Sequence, residues 1–198
     1  MPRHQHGDLR TAILDAAATT IARDGVDGLS LRAIAADLGV SHTAFRRHFG
    51  DREGVLNALA VRGNRLLAEH LRAAAVSGDF VEVGLAYVRF ALANPGPFAV
   101  MFRPDLLDND DPELMAARAE AYAPLREGVA AKRLPDPEAG ELIGWGAVHG
   151  IATLALSGNL LAVDGVEALT RRALALMYPG RVRQSGFSAP SDGPGVGN

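Results

Sequence analysis

The side chains best equipped for chemistry crowd between His42 and Arg52: His42, Thr43, Arg46, Arg47, His48 and Arg52. On a 3.6-residue period His42, Thr43, Arg46 and Arg47 share one side of a helix, while Phe45 and Phe49 take the other. A guanidinium is a planar fork of donors that matches a guanine edge or a phosphate. Recognition of nucleic acid is the chemistry such a face offers. Arg52 adds to it from beside Asp51, the cap of the following helix. A cation at the positive end of a helix is locally unfavoured, whereas a phosphate there would answer both the arginine and the orphan N–H groups. The plainer alternative is a solvated face on a small helical unit, since this geometry also occurs in proteins that never touch DNA.

Short helices must hold these residues. Ser30 can cap one, with Leu29 and Ile34 as its hydrophobic staple. Gly39 can take the left-handed conformation that stops it, and Ser41 caps the next, with Val40 and Phe45 repeating the staple. Ala35 leaves room where the two helices cross. The pattern is a helix-turn-helix whose second helix starts at His42 and would enter the major groove. Ahead of it, Leu9, Ile13, Leu14, Ala17 and Ile21 recur at helical spacing from Asp8 to Asp24, and Gly25 ends the run.

Over residues 8–60 the chain resembles the TetR family of bacterial transcriptional regulators. The resemblance rests on the first helix, the Gly39-Val40-Ser41 turn, Phe49 at the end of the recognition helix and the Asp51-Arg52-Glu53 start of the fourth. It implies a homodimer that sets two recognition helices into successive major grooves of a pseudo-palindromic operator. Ser30, Arg32, Ser41, His42, Thr43, Arg46, Arg47, His48 and Arg52 are then the DNA-contact candidates. The family often has aromatic residues where this chain has Arg46 and His48. Arg46 either holds a phosphate or reads a base.

With 198 residues and an apolar fraction of 48%, the chain suffices for such a head and a larger body. The net charge is −3, and the first 54 residues balance seven Arg against seven Asp and Glu. A non-specific nucleic-acid binder would be basic overall, so sequence selectivity is the better fit. With no cysteine, disulfides, thiolate nucleophiles and Cys-based zinc sites are excluded. The chain opens without a signal peptide, carrying His4 and His6 instead, and is expected to be cytoplasmic with no membrane partner. It shows no P-loop, dinucleotide fingerprint, His-Glu-x-x-His or nucleophile elbow, so no catalytic residue, cofactor or metal is assigned.

The body reads as further helices. One runs from Arg52 to about Val76, and another from Asp79 to the breaker Asn94-Pro95-Gly96-Pro97. Then come the apolar segment 98–102 and helices opened by Asp111-Pro112-Glu113 and Asp136-Pro137-Glu138. A last helix starts at a capping-box-like Asp164 and Glu167 and stops at Pro179-Gly180. The expected fold is all-α, about nine helices: a head over 8–54, a ligand-binding and dimerisation domain over 55–180, and disordered ends over 1–7 and 181–198.

Trp145, His149 and Gly150 are similar to a Trp…His-Gly signature of one TetR subgroup, and 97–102 to that subgroup's preceding motif. Gly140, Gly144, Gly146 and Gly150 share one helix, each costing about 1 kcal/mol relative to alanine. Gly146, Gly150, Thr153 and Ser157 make a smooth face suited to another helix, so the last two helices of two subunits are expected to form a four-helix interface. A kinked helix lining a pocket is the competing reading. Phe90, Phe98, Met101, Phe102, Met115, Tyr122, Trp145 and His149 are the candidate walls of a site for a small apolar or amphipathic effector, with Arg103 as a charged partner. Each could equally just fill a core. The function expected is a regulator, a repressor, released from DNA by that effector. The rivals are an interaction protein that has lost operator binding, and an enzyme without a recognisable motif.

Overall fold

A computed structural model describes residues 6–160 and 165–178, and every regular element among them is helical. Nine α-helices follow in order: α1 His6–Asp24, α2 Leu31–Asp37, α3 His42–Phe49, α4 Arg52–Ala75, α5 Phe80–Ala93, α6 Pro95–Met101, α7 Pro112–Lys132, α8 Pro137–Leu156 and α9 Val166–Met177. Single 3-10 turns cover Val26–Gly28 and Pro104–Leu106. The tail expected over 181–198, residues 1–5 of the expected disordered start, Asp164 and Pro179-Gly180 lie outside the described residues. Helix α1 starts at His6, two residues before the expected Asp8, so residues 6 and 7 belong to it.

Caps fix the boundaries. Ser30 accepts from the Ala33 N–H at 3.3 Å. At the other end of α2, Gly39 stands at φ 65°, with Gly39 N–H donating to Ala36 and Val40 N–H to Ala35, the paired bonds of a Schellman stop. Asp51, Asp79, Asp111 and Asp136 each accept a backbone N–H from the first turn of α4, α5, α7 and α8. The expected breaker at 94–97 does end α5, but Pro95 is also the first residue of α6. Proline suits that position because its missing N–H is an orphan there anyway. For α9, Gly165 stands at the cap without a side-chain bond, and Glu167 pairs with Arg89.

Two apolar cores result. One joins α1–α3 with Val55 to Val61 of α4, and takes in Val100, Leu107, Leu114 and Ala117. The other packs Leu67 to Leu71 of α4 against α5, Phe98, Met101, Ala121, Val148, Ala152 and Leu174. Helix α6 therefore places consecutive buried residues, Val100 and Met101, in different cores. It also lies on α1 so closely that a methyl added at Gly96 would stand 2.8 Å from the Ala18 carbonyl carbon. Asn57 on α4 donates to Asp111, tying α4 to the start of α7.

Candidate functional site

On α3 the two-sided pattern holds: Phe45 and Phe49 are buried, while Thr43, Arg46 and Arg47 are exposed. Ser30, Arg32 and Ser41 are exposed on the same head, His42 opens α3, and His48 is half-buried with its ring 6.3 Å from Phe49. Arg23, Arg62 and Arg65 pair with carboxylates, but among the described residues Arg32, Arg46 and Arg47 do not. Their guanidinium groups are open to an anion from outside. Arg10, not singled out by the sequence, lies 4.9 Å from the centre of the Phe49 ring and donates to the His48 carbonyl at 3.5 Å. It clamps the end of the recognition helix to α1. Arg52 is half-buried and donates to the Val26 carbonyl at 2.7 Å, bracing the start of α4 against the turn after α1. A guanidinium has five N–H donors, so this strut leaves others for a phosphate.

Behind the head, α4, α5, α7, α8 and α9 enclose a cavity of about 800 Å³. Asn64, Leu67 and Leu71 line it from α4, and Phe80, Val83, Gly84 and Tyr87 from α5. Met101 and Phe102 close the end next to α6, and Arg118, Tyr122, Leu125, Trp145, Val148, His149, Leu174 and Tyr178 complete most of the wall. The size falls within the range of small-molecule sites, and the lining is mostly apolar with a few polar groups. The Tyr87 hydroxyl and His149 Nδ1 are 2.9 Å apart, and the Phe102 ring meets the His149 ring edge-on at 4.6 Å. Burial lowers the His149 pKa and pushes that of Tyr87 well above its ordinary value, while hydrogen bonding with Trp145 acts against the rise. The imidazole is therefore neutral at pH 7, in keeping with a half-buried, hydrogen-bonded residue. Tyr122 donates to Glu141 at 3.0 Å.

The description "Bacterial regulatory proteins, tetR family" matches residues 13–59, and "Tetracyclin repressor-like, C-terminal domain" matches residues 80–177. An uncharacterised HTH-type transcriptional regulator of Mycobacterium tuberculosis, Rv0681, is 30% identical over 84% of this chain and 79% of its own length. The chain belongs to the TetR family of transcriptional regulators. A protein of unknown function from Rhodococcus sp. RHA1 has the same fold at TM-score 0.72, 34% identical over 87% of this chain and 94% of its own. The putative regulatory protein SCO4313 follows at TM-score 0.70, 28% identical over 87% and 96%.

In this TetR-family chain five of the eight proposed wall residues line the cavity: Met101, Phe102, Tyr122, Trp145 and His149. Three do not. Phe90 is buried on another side of α5, its ring 5.9 Å from His70. Phe98 forms a second layer, edge-on to Phe102 at 5.2 Å and tilted against His149 at 5.3 Å. Met115 is 56% exposed on the outer side of α7. Arg103 is likewise no partner for a ligand, because it is exposed and paired with Asp105 at 2.8 Å. The sequence reading missed Asn64, Tyr87, Arg118, Leu174 and Tyr178. Tyr87 carried the usable signal, a phenol inside the apolar run of α5.

The four glycines of α8 serve two purposes. Gly140 and Gly144 face inward, where a methyl would stand 2.6 Å from Leu134 Cδ1 and 2.6 Å from the Tyr178 hydroxyl. Gly146 and Gly150 would have nothing within 4 Å of an added methyl. They share their side of α8 with Leu142, Ile143, Thr153, Leu154 and Ser157, all exposed. Helix α8 is long and apolar enough to cross a membrane by length and composition, and most of it is not buried within the protomer. Together with Leu176 of α9, 85% exposed, it presents an uncovered apolar surface.

Proposed function

We propose that the chain is a repressor that binds a pseudo-palindromic operator as a homodimer and leaves it when a small apolar or amphipathic ligand fills the cavity. The observation that carries this reading is the position of α6, whose last residue Met101 lines the cavity while the preceding Val100 belongs to the core of the head. A ligand pressing on Met101 and Phe102 acts on a helix that already touches the DNA-binding unit. The outward face of α8 and α9 supports dimerisation: an apolar helix of this length needs a cover, and a second copy supplies one with the same surface. Thr43, Arg46 and Arg47 would then read or hold the DNA, with Ser30, Arg32, Ser41, His42, His48 and Arg52 around them.

The experiment titrates purified protein onto labelled DNA segments from upstream of its own gene, against random competitor, with sedimentation of the complex. One segment should be retained with two protomers, or a multiple of two, per site. Equal affinity for every segment would instead favour an interaction protein that carries the head without using it on an operator.

A further inference from the structure

Among the described residues, Arg118 is the one charged side chain that lines the cavity, and no Asp or Glu lines it. Other arginines nearby are neutralised: Arg65 and Arg72 of α4 pair with Glu113 and Glu120 on another side of α7. Among the described residues, Arg118 pairs with the Asn109 carboxamide alone, whose Oδ1 accepts from its NH1 nitrogen at 3.0 Å. Asn109 is itself held by two donations from Nδ2, to the Pro104 carbonyl at 2.7 Å and the Leu107 carbonyl at 3.1 Å. The guanidinium is thus held in place without being neutralised, and four of its five N–H donors remain. Arg118 is half-buried and Asn109 exposed, so water can reach the guanidinium, and an anion entering the apolar cavity would take that water's place. Asp105 and Asp108, in the loop next to Asn109, are engaged with Arg103 and with the Asp110 N–H, and neither lines the cavity.

We infer that the effector is an amphiphilic monocarboxylate, its carboxylate held by Arg118 and its apolar body lying along Phe102, Val83, Leu174 and Trp145. This rests on the cavity being the effector site proposed above. The planar guanidinium donates two parallel N–H···O bonds to a carboxylate, a geometry that an alcohol or an ester cannot reproduce.

Trp145 is the only tryptophan and lines the cavity, so its fluorescence reports occupancy without reference to DNA. Decanoate and 1-decanol are titrated into the purified full-length chain, the wild type beside Arg118→Gln and Arg118→Lys, with each variant's melting temperature as a folding control. The wild type should bind decanoate about tenfold to a hundredfold more tightly than 1-decanol, the range expected for a charged hydrogen-bonded contact. Arg118→Gln should erase that preference by weakening decanoate alone, and Arg118→Lys should keep part of it. Equal binding of acid and alcohol by the wild type, an acid preference that survives Arg118→Gln, or no fluorescence change with either probe overturns the inference. Decanoate that binds through Arg118 but leaves operator affinity unchanged upholds the ligand class while refuting ligand control of DNA binding.

Discussion

Gly96→Ala probes the joint between the head and the body. A methyl there would stand 2.8 Å from the Ala18 carbonyl carbon and 3.0 Å from its Cα. The methyl would run first into the Ala18 carbonyl oxygen, and since atoms in good contact are about 3.5–4.0 Å apart, α6 and α1 must separate by roughly 1 Å or more. The obstacle is helical backbone, which cannot turn aside as a side chain can. Overpacking of this kind costs about 1–3 kcal/mol, which in a chain of this size lowers the melting temperature by roughly 2–12 °C. Gly63→Ala is the matched control, because its methyl would meet Met101 Sδ at 2.6 Å and Pro97 Cβ at 3.2 Å. A methionine side chain can move to another rotamer, so the control should lose less stability. Calorimetry and fluorescence anisotropy with operator DNA measure both. Gly96→Ala should also weaken operator binding without ligand, since it lifts α6 as an occupied cavity would. If Gly63→Ala proves the more harmful, or Gly96→Ala melts within a degree of wild type and binds operator equally well, the close docking of α6 on α1 is wrong.

Replacing Thr43 or Arg46 by alanine should change the preference among operators by about 1–3 kcal/mol at a base pair that is read, whereas equal losses on specific and random DNA would assign Arg46 to the backbone. Arg52→Ala should lower stability by about 1–3 kcal/mol through the lost bond to Val26 and weaken all DNA sequences alike, and a melting temperature equal to wild type would contradict the strut. Gly150→Leu should abolish the dimer while each protomer still folds, because a methyl at that position meets nothing within 4 Å inside the protomer; sedimentation showing intact dimer at micromolar concentration would place the interface elsewhere. The His149 pKa is lowered on folding from about 6.5, so its contribution to stability is present above that value and is lost as pH falls through the lower folded value. His149→Phe should therefore lose less stability than wild type between pH 7 and pH 5, as read by denaturant unfolding at each pH; parallel losses would show that this imidazole does not titrate differently in the folded state.

The head was legible because its signals are local. Ser30, Gly39 and Asp51 act within a few residues, and each cap or stop appears where its residue type calls for it. The cavity was legible only in part, because empty space leaves no residue pattern of its own. Phe98 and Phe102, four apart, are both suited to a wall, yet Phe98 packs behind Phe102 and only the latter faces the space. Phe90 and Tyr87 lie on one apolar helix, and which of them meets the cavity depends on how α5 sits against α4 and α8. The α8 glycines were read as a single puzzle. Two of them are explained by Leu134 and by Tyr178 after α9, contacts that helical spacing within α8 cannot reveal.

Under the proposed control by a ligand, the same placement bears on which element would relay it to the DNA. Helix α4, which starts at Arg52, is the first candidate, since it runs from the head into the body. It does pass from one core to the other, with Asn64 on the cavity wall between Val61 and Leu67. But α6 crosses that boundary in one residue, from Val100 to Met101, and rests directly on the backbone of α1. Helices α4 and α6 are also fitted to each other, because Gly63 leaves room for Met101. Pressure on Met101 therefore reaches α4 through Gly63 and α1 through Gly96 together. A ligand shifts the equilibrium only by its difference in affinity for the two arrangements, so the residues that set the response are those whose surroundings change when α6 moves. Met101 and Phe102 meet that condition, whereas Leu174 of α9 and Tyr178 just after it would contribute affinity common to both arrangements.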